Sequence, residues 1–295
     1  MSAHAAGPDL AGAAAKPARV KEASRATPLT NAFLGLIIVL WTIPTIGLLV
    51  SSVRDREAVR TSGWWTMFTN GFDFTLGNYT RVLESGMGHA FVNSLAVAVP
   101  ATVIPILAAA FAAYTFSWME FRGRELLFIL FVGLLVVPLQ VAFIPLTQLY
   151  VSLGIDSAFV KVWLAHTGFG MPLAVYILRN YIGSLPREVI ESAKVDGASH
   201  YETFWRLIIP LSVPALAAFG IFQFLWTWND YLVALIFMGN TEVVTINLAE
   251  LVGSRGQDWH LLTAGAFITM VVPLIVFFSL QRYFVRGLTS GSVKG

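Results

Sequence analysis

The chain contains no cysteine. Disulfide staples, thiolate metal sites and cysteine nucleophiles are therefore excluded. Charge is scarce as well. Asp, Glu, Lys and Arg make up 12% of the 295 residues, against about 25% in an ordinary soluble domain. So few charges cannot coat a water-soluble particle, and a net charge of +2 is too small to argue for a nucleic-acid partner. None of the lysines lies in a G-x-x-x-x-G-K-[ST] loop, so this chain does not bind ATP through a P-loop. Nor is there a pair of carboxylates, a metal-ligand cluster or a nucleophile–base set, so no catalytic and no metal residue is assigned and the chain does not read as an enzyme. What is abundant is apolar. Hydrophobic residues make up 56% and mean hydropathy is +0.70, which also rules out disorder. The remaining class is an all-α polytopic membrane protein.

A membrane helix needs roughly 20 mostly apolar residues. Stretches free of Asp, Glu, Lys and Arg predict six spans: 28–53, 90–119, 126–155, a short one at 162–178, 207–229 (which can run on past Asp230), and 261–281. Basic residues concentrate on one set of connecting segments. Lys16, Arg19, Lys21 and Arg25 precede the first span, and Arg122 and Arg124 follow the second. Arg179, Arg187, Lys194 and Arg206 follow the fourth, and Arg282, Arg286 and Lys294 follow the sixth. By the positive-inside rule these segments and both termini face the cytoplasm. The expected organisation is a flexible cytoplasmic tail (1–30), a first span with an external segment (31–88), a transmembrane domain (89–282) and a cytoplasmic C-terminal tail (283–295). Asn78-Tyr79-Thr80 matches a glycosylation acceptor, a short pattern that arises often by chance.

One cytoplasmic loop, 184–206, is too long and too patterned for a connector. Pro186 suits a first helical position, and Ser184 is close enough to help cap it. Glu188 and Glu191 favour the positive end of that helix. Val189, Ile190 and Ala193 share one apolar face. Asp196-Gly197 ends the helix, because glycine takes a left-handed conformation freely. Ser199-His-Tyr-Glu202 fits a capping box that restarts it. Phe204, Leu207 and Ile208 lead into the membrane, and Pro210 and Pro214 mark the entry to the fifth span. A helix this short is marginal alone. Its apolar face must be covered by lipid headgroups, by its own bundle or by a protein partner.

Glu191-Ser-Ala-Lys-Val-Asp-Gly-Ala198, with Pro210 downstream, closely resembles the EAA loop of ABC importer permeases. Ser192 replaces the first Ala of that pattern, and a small serine still permits close docking. Asn93-Ser-Leu, Ala108 to Tyr114, Pro138, Gln140, Pro145, Trp228-Asn-Asp-Tyr-Leu232 and the end from Leu288 to Gly295 resemble the carbohydrate-type members, in particular the shorter maltose-permease component. The segment from Glu250 to Ala266 is similar to permeases for α-glucosides. The resemblance implies a type I ABC importer transmembrane domain with six transmembrane helices in the cytoplasmic membrane of a prokaryote. Its partners would be a second homologous permease, two ATP-binding subunits and an extracytoplasmic substrate-binding protein. The chain would hold no cofactor, since ATP would sit on the partner subunits. Glu191, Ser192, Ala193, Asp196, Gly197, Ala198 and Pro210 would form the ATPase-coupling loop. Gly197 would let the two chains approach. Glu191 and Asp196 would bond to the ATPase or cap their own helices.

Few polar residues lie within the spans. Gln140, Gln223, Asn229 and Asp230 are the candidates for a substrate path, although Gln140, Gln148 and Gln223 can equally bond across helices. Asp230 reads as an interfacial residue at a helix end or as a channel-facing group. His166 reads as a satisfied packing residue or as a proton relay. Trp64, Trp65, Trp226, Trp228 and Trp259 read by default as interfacial belt residues. Pro138, Pro145 and Pro172 imply kinks. The leading function is import of a carbohydrate such as an α-glucoside. The rivals are a gradient-driven carrier, or the same machine with a polyol or glycerol phosphate as cargo.

Overall fold

The computed structural model describes residues 27–71, 74–251 and 258–290. Its helices are α1 (Pro28–Ser52), α2 (Arg56–Thr61), α3 (Met67–Asn70), α4 (Gly77–Val82), α5 (Gly88–Trp118), α6 (Arg124–Gly133), α7 (Phe143–Ser152), α8 (Ala158–Ile182), α9 (Arg187–Val195), α10 (His200–Thr203), α11 (Ile209–Trp228), α12 (Leu232–Phe237), α13 (Val244–Glu250) and α14 (Trp259–Ser290). Two units divide within α1, at Ile46–Gly47. The first is the N-terminal part of that apolar helix. The second carries the rest.

Five helical stretches among the described residues are long and apolar enough to cross a membrane: Pro28–Ser52, Gly77–Trp118, Ala158–Ile182, His200–Trp228 and Trp259–Arg282. The fourth expected span, short in sequence, is a full 25-residue helix. The third is not straight. Its halves, Arg124–Val136 and Leu139–Ser152, are bent by 100°. The cause lies at Pro138, which has no N–H to give and drives the residue before it out of the helical region. Val137 (φ −73°, ψ 119°) and Pro138 (φ −63°, ψ 130°) are both extended. Pro172, expected to kink its span, lies inside an unbroken α8.

The second unit is built around α5, which packs along α8 and α11, with α14 against α11. Ala101, Ala109, Ala110 and Ala113 on α5 are fully buried. Such small residues let helix backbones approach where no hydrophobic force draws helices together in lipid. Gln223 of α11 sits at this crossing. Its Nε2 donates to Ala101 O of α5 at 3.1 Å. On α8, a Cβ at Gly170 would stand 2.7 Å from Gln223 Oε1, so only a glycine leaves room for the amide.

Segment 54–87 is organised by polar side chains. Arg54 is buried and donates to Gly63 O, Ser62 Oγ and Thr66 Oγ1. Asn78 is only 3% exposed, and its amide donates to Ser52 O and Arg54 O. The glycosylation match is therefore a structural amide, unreachable in the folded chain. Trp228 departs from the belt reading too. It is buried and donates to Thr269 O of α14 at 3.2 Å.

Candidate functional site: a helical loop and a broken span

The loop between α8 and α11 folds as helix, turn and helix. α9 starts at Arg187, one residue later than expected. Pro186 precedes it with extended backbone, and no side chain caps it. Ser184 Oγ donates backward to Tyr181 O instead. Glu188 occupies the first turn, where the helix dipole favours an anion.

The helix ends in a Schellman motif. Ala198 N–H bonds to Ala193 O at 3.0 Å and Gly197 N–H to Lys194 O at 3.1 Å. These two bonds satisfy terminal carbonyls, and they require a left-handed residue between helix and chain. Gly197 supplies it with φ +79°. No heavy atom lies within 4 Å of where its Cβ would be, so conformation, not crowding inside this chain, calls for glycine here. The capping box then restarts the helix. Glu202 N–H donates to Ser199 Oγ, and Ser199 N–H donates to the Glu202 carboxylate at 3.0 Å.

What covers the apolar face is this chain's own bundle. Ile190 is 1% and Ala193 7% exposed, and Ile190 packs with Leu178, Ile182 and Phe204 in one core cluster. The opposite side is open. Glu191, Ser192, Lys194, Asp196 and Gly197 are exposed, and Val195 is 87% exposed. The Asp196 carboxylate makes no hydrogen bond or ion pair among the described residues, so it does not cap its own helix.

The second half of the loop is held by rings. Phe204 stacks on Phe111 of α5 with centroids 4.0 Å apart. Tyr114 OH and His200 Nδ1 share a hydrogen bond at 2.9 Å. Trp205 meets both Phe111 and Phe204 edge-on. The chain then enters the bundle through a π turn, Phe204–Ile208, in which Ile209 N–H reaches Phe204 O. Pro210 follows at once. It cannot bond to Arg206 O as a regular α-helix would need, and the wider turn relieves that position. Phe111 and Tyr114 lie in the stretch that carries the family resemblance and His200 in the capping box, but neither pattern assigns them this packing role. Their signal was present as aromatic spacing, 111/114 on one helix and 200/204 and 201/205 on the other.

Near the base of the loop, Arg179 of α8 donates to both Glu125 oxygens of α6 at 3.2 Å and lies over the Phe128 ring. Trp118 Nε1 donates to Ile182 O. The loop is thus mounted on a cross-braced end of the bundle.

The four path candidates lie on different elements. Gln140 is exposed in the bend between α6 and α7. Gln223 is buried and bonded across helices. Asn229 ends α11 and donates to Leu225 O. There the fifth span stops; it does not continue through Asp230. Asp230 accepts from Val233 N–H and Ala234 N–H and so starts α12. His166 of α8 is buried with its Nε2 3.7 Å from Asp230 Oδ2 and packs edge-on against Trp226. Neither ring nitrogen has a hydrogen-bond partner, so His166 is packed without being satisfied.

A family model described as the binding-protein-dependent transport system inner membrane component matches residues 101–290. The chain belongs to this family of ABC transporter permeases. The permease is 61% identical to the osmoprotective compounds uptake permease protein GgtD of Synechocystis sp., over 88% of this chain and 89% of that one. It is 44% identical to the alpha-glucoside transport system permease protein AglG of Rhizobium meliloti, over 92% and 99%. Among solved structures it resembles a chain of a bacterial alginate ABC transporter in complex with an alginate pentasaccharide-bound periplasmic protein. The TM-score is 0.64 at 15% identity, covering 85% of the permease and 92% of that chain, which shows a shared fold. Membership in a binding-protein-dependent family removes the gradient-driven carrier, and makes an inner-membrane transport component of this chain.

Proposed function

We propose that the permease forms, with a second related permease, the path by which an ATP-driven importer takes up a carbohydrate, an α-glucoside or a related oligosaccharide. A substrate-binding protein delivers the cargo from outside. Two separate ATP-binding subunits supply the energy, and both termini of the permease lie in the cytoplasm with them. The loop 184–206 is the coupling element. The observation that carries this reading is the two-sided loop. One face is anchored in the core through Ile190, Ala193 and Phe204, while Glu191, Ser192, Val195, Asp196 and Gly197 stand free on the other. An element fixed to the bundle and open outward can pass a push from a docked subunit to the helices, as a rigid-body switch requires. The cargo class rests on the relative named for alpha-glucoside transport and on the sequence from Glu250 to Ala266, of which residues 252–257 lie outside the described residues.

The relative at 61% identity, named for osmoprotective compounds, favours a second reading of the cargo, a small compatible solute. Both are tested with the complete transporter in proteoliposomes. Under the first reading, uptake of labelled maltose needs ATP inside and the binding protein outside. Uptake of a compatible solute alone selects the second reading. ATP-independent uptake refutes both.

A further inference from the structure

A small cavity lies against the break in the fifth span. Ser94 of α5, Thr227 at the end of α11, Asp230 and Thr245 form its polar wall, with Val97 and Trp228 on the apolar side. It leaves about 10 Å³ for the centre of a water molecule. On that measure about 10–15 Å³ holds one water, which also needs two to four polar partners.

The polar wall is incompletely used. Thr227 is 4% exposed, and its Oγ1 is sealed from solvent with no hydrogen-bond partner. Several other helical threonines differ from it. Thr102, Thr115, Thr147 and Thr167 each return the hydroxyl to the carbonyl four residues back. Thr227 does not. Ser94 Oγ accepts Val244 N–H at 2.9 Å, which leaves its own hydrogen to donate. Thr245 Oγ1 donates to Asp230 O at 2.7 Å. The Asp230 oxygens each accept one backbone N–H, at 3.4 and 3.0 Å, and each retains a lone pair. His166 stands beside Asp230 but does not line the cavity.

A free hydroxyl, a free donor and free carboxylate lone pairs around a space of one molecule are the complement of water. We infer that this cavity holds one ordered water that joins the Thr227 hydroxyl to Asp230 and Ser94. It completes the polar wall where helix α11 stops and α12 begins, tying both to α5. In a low-dielectric bundle an unpaired hydroxyl is costly, and a bridging water removes that cost at the point where the span is broken.

The test uses the transporter complex with its partner subunits, in a structure resolved well enough to show ordered water. The wild type shows one peak within hydrogen-bonding reach of Thr227 Oγ1 and the Asp230 carboxylate. Thr227→Ser keeps the peak, and Thr227→Val loses it. Thermal unfolding gives an independent readout. If water bridges Thr227, Thr227→Val unfolds at a lower temperature than the wild type. If the hydroxyl is dry and unpaired, the isosteric valine removes a penalty and unfolding moves up. An empty wild-type cavity, a peak retained in Thr227→Val, a raised unfolding temperature, or a peak with the coordination shell of a metal cation would each overturn the inference.

Discussion

Replacing Gly197 separates backbone geometry from close docking. The residue lies at φ +79°, where a side chain costs about 1–2 kcal/mol. A Cβ there meets nothing of this chain within 4 Å, so the membrane helices should insert and the chain purify as the wild type does. The strain falls on the turn between α9 and α10. A loss of 1–2 kcal/mol lowers the ratio of formed to unformed turns by roughly 5- to 30-fold. Gly197→Ala should therefore reduce cargo-stimulated ATP hydrolysis and uptake, by at most about that factor, while ATP binding by the partner subunits is unchanged. Gly197→Asn adds a larger side chain but tolerates the left-handed region. If a bare backbone at 197 is needed for approach to the ATPase, the asparagine variant fails as well. Normal coupling in Gly197→Ala would refute the conformational argument. Recovery in Gly197→Asn would refute the close-approach argument and leave geometry as the whole reason for glycine.

Three further changes have definite expected outcomes. Ser199→Ala removes the capping box, at a cost of about 1 kcal/mol, and should speed amide exchange at Glu202 without changing membrane insertion. Phe204→Ala deletes a fully buried ring stacked on Phe111; a cost of about 3–5 kcal/mol should lower the thermal midpoint and loosen the loop from α5. Gly170→Ala displaces the Gln223 amide from Ala101 O, costing about 1–3 kcal/mol for a buried group left unpaired. The same change made in a Gln223→Ala background should cost less, and equal costs in the two backgrounds would show that Gln223 is not the obstacle.

The sequence by itself determined the membrane class, the helical architecture and the outline of the loop. Each of these follows from local rules. Charge scarcity needs no partner to be read, and the capping box at Ser199 and the glycine stop at Gly197 act within a few residues of themselves. Tertiary structure decided the rest. Whether the apolar face of α9 met lipid, a partner or its own core depended on Ile190 joining Leu178, Ile182 and Phe204 in one buried cluster, which the local pattern of α9 does not determine. Gln223 and Gln140 look alike as polar residues in apolar runs. Only packing makes one a brace between α5 and α11 and leaves the other exposed in a bend. The 100° turn at Pro138 was legible as a kink but not in size, because proline removes a bond while its surroundings set the angle. The scarce charge with which the chain begins to be readable shows the same division. Composition said there was little of it, and folding decided which charges stand on the open face of one loop.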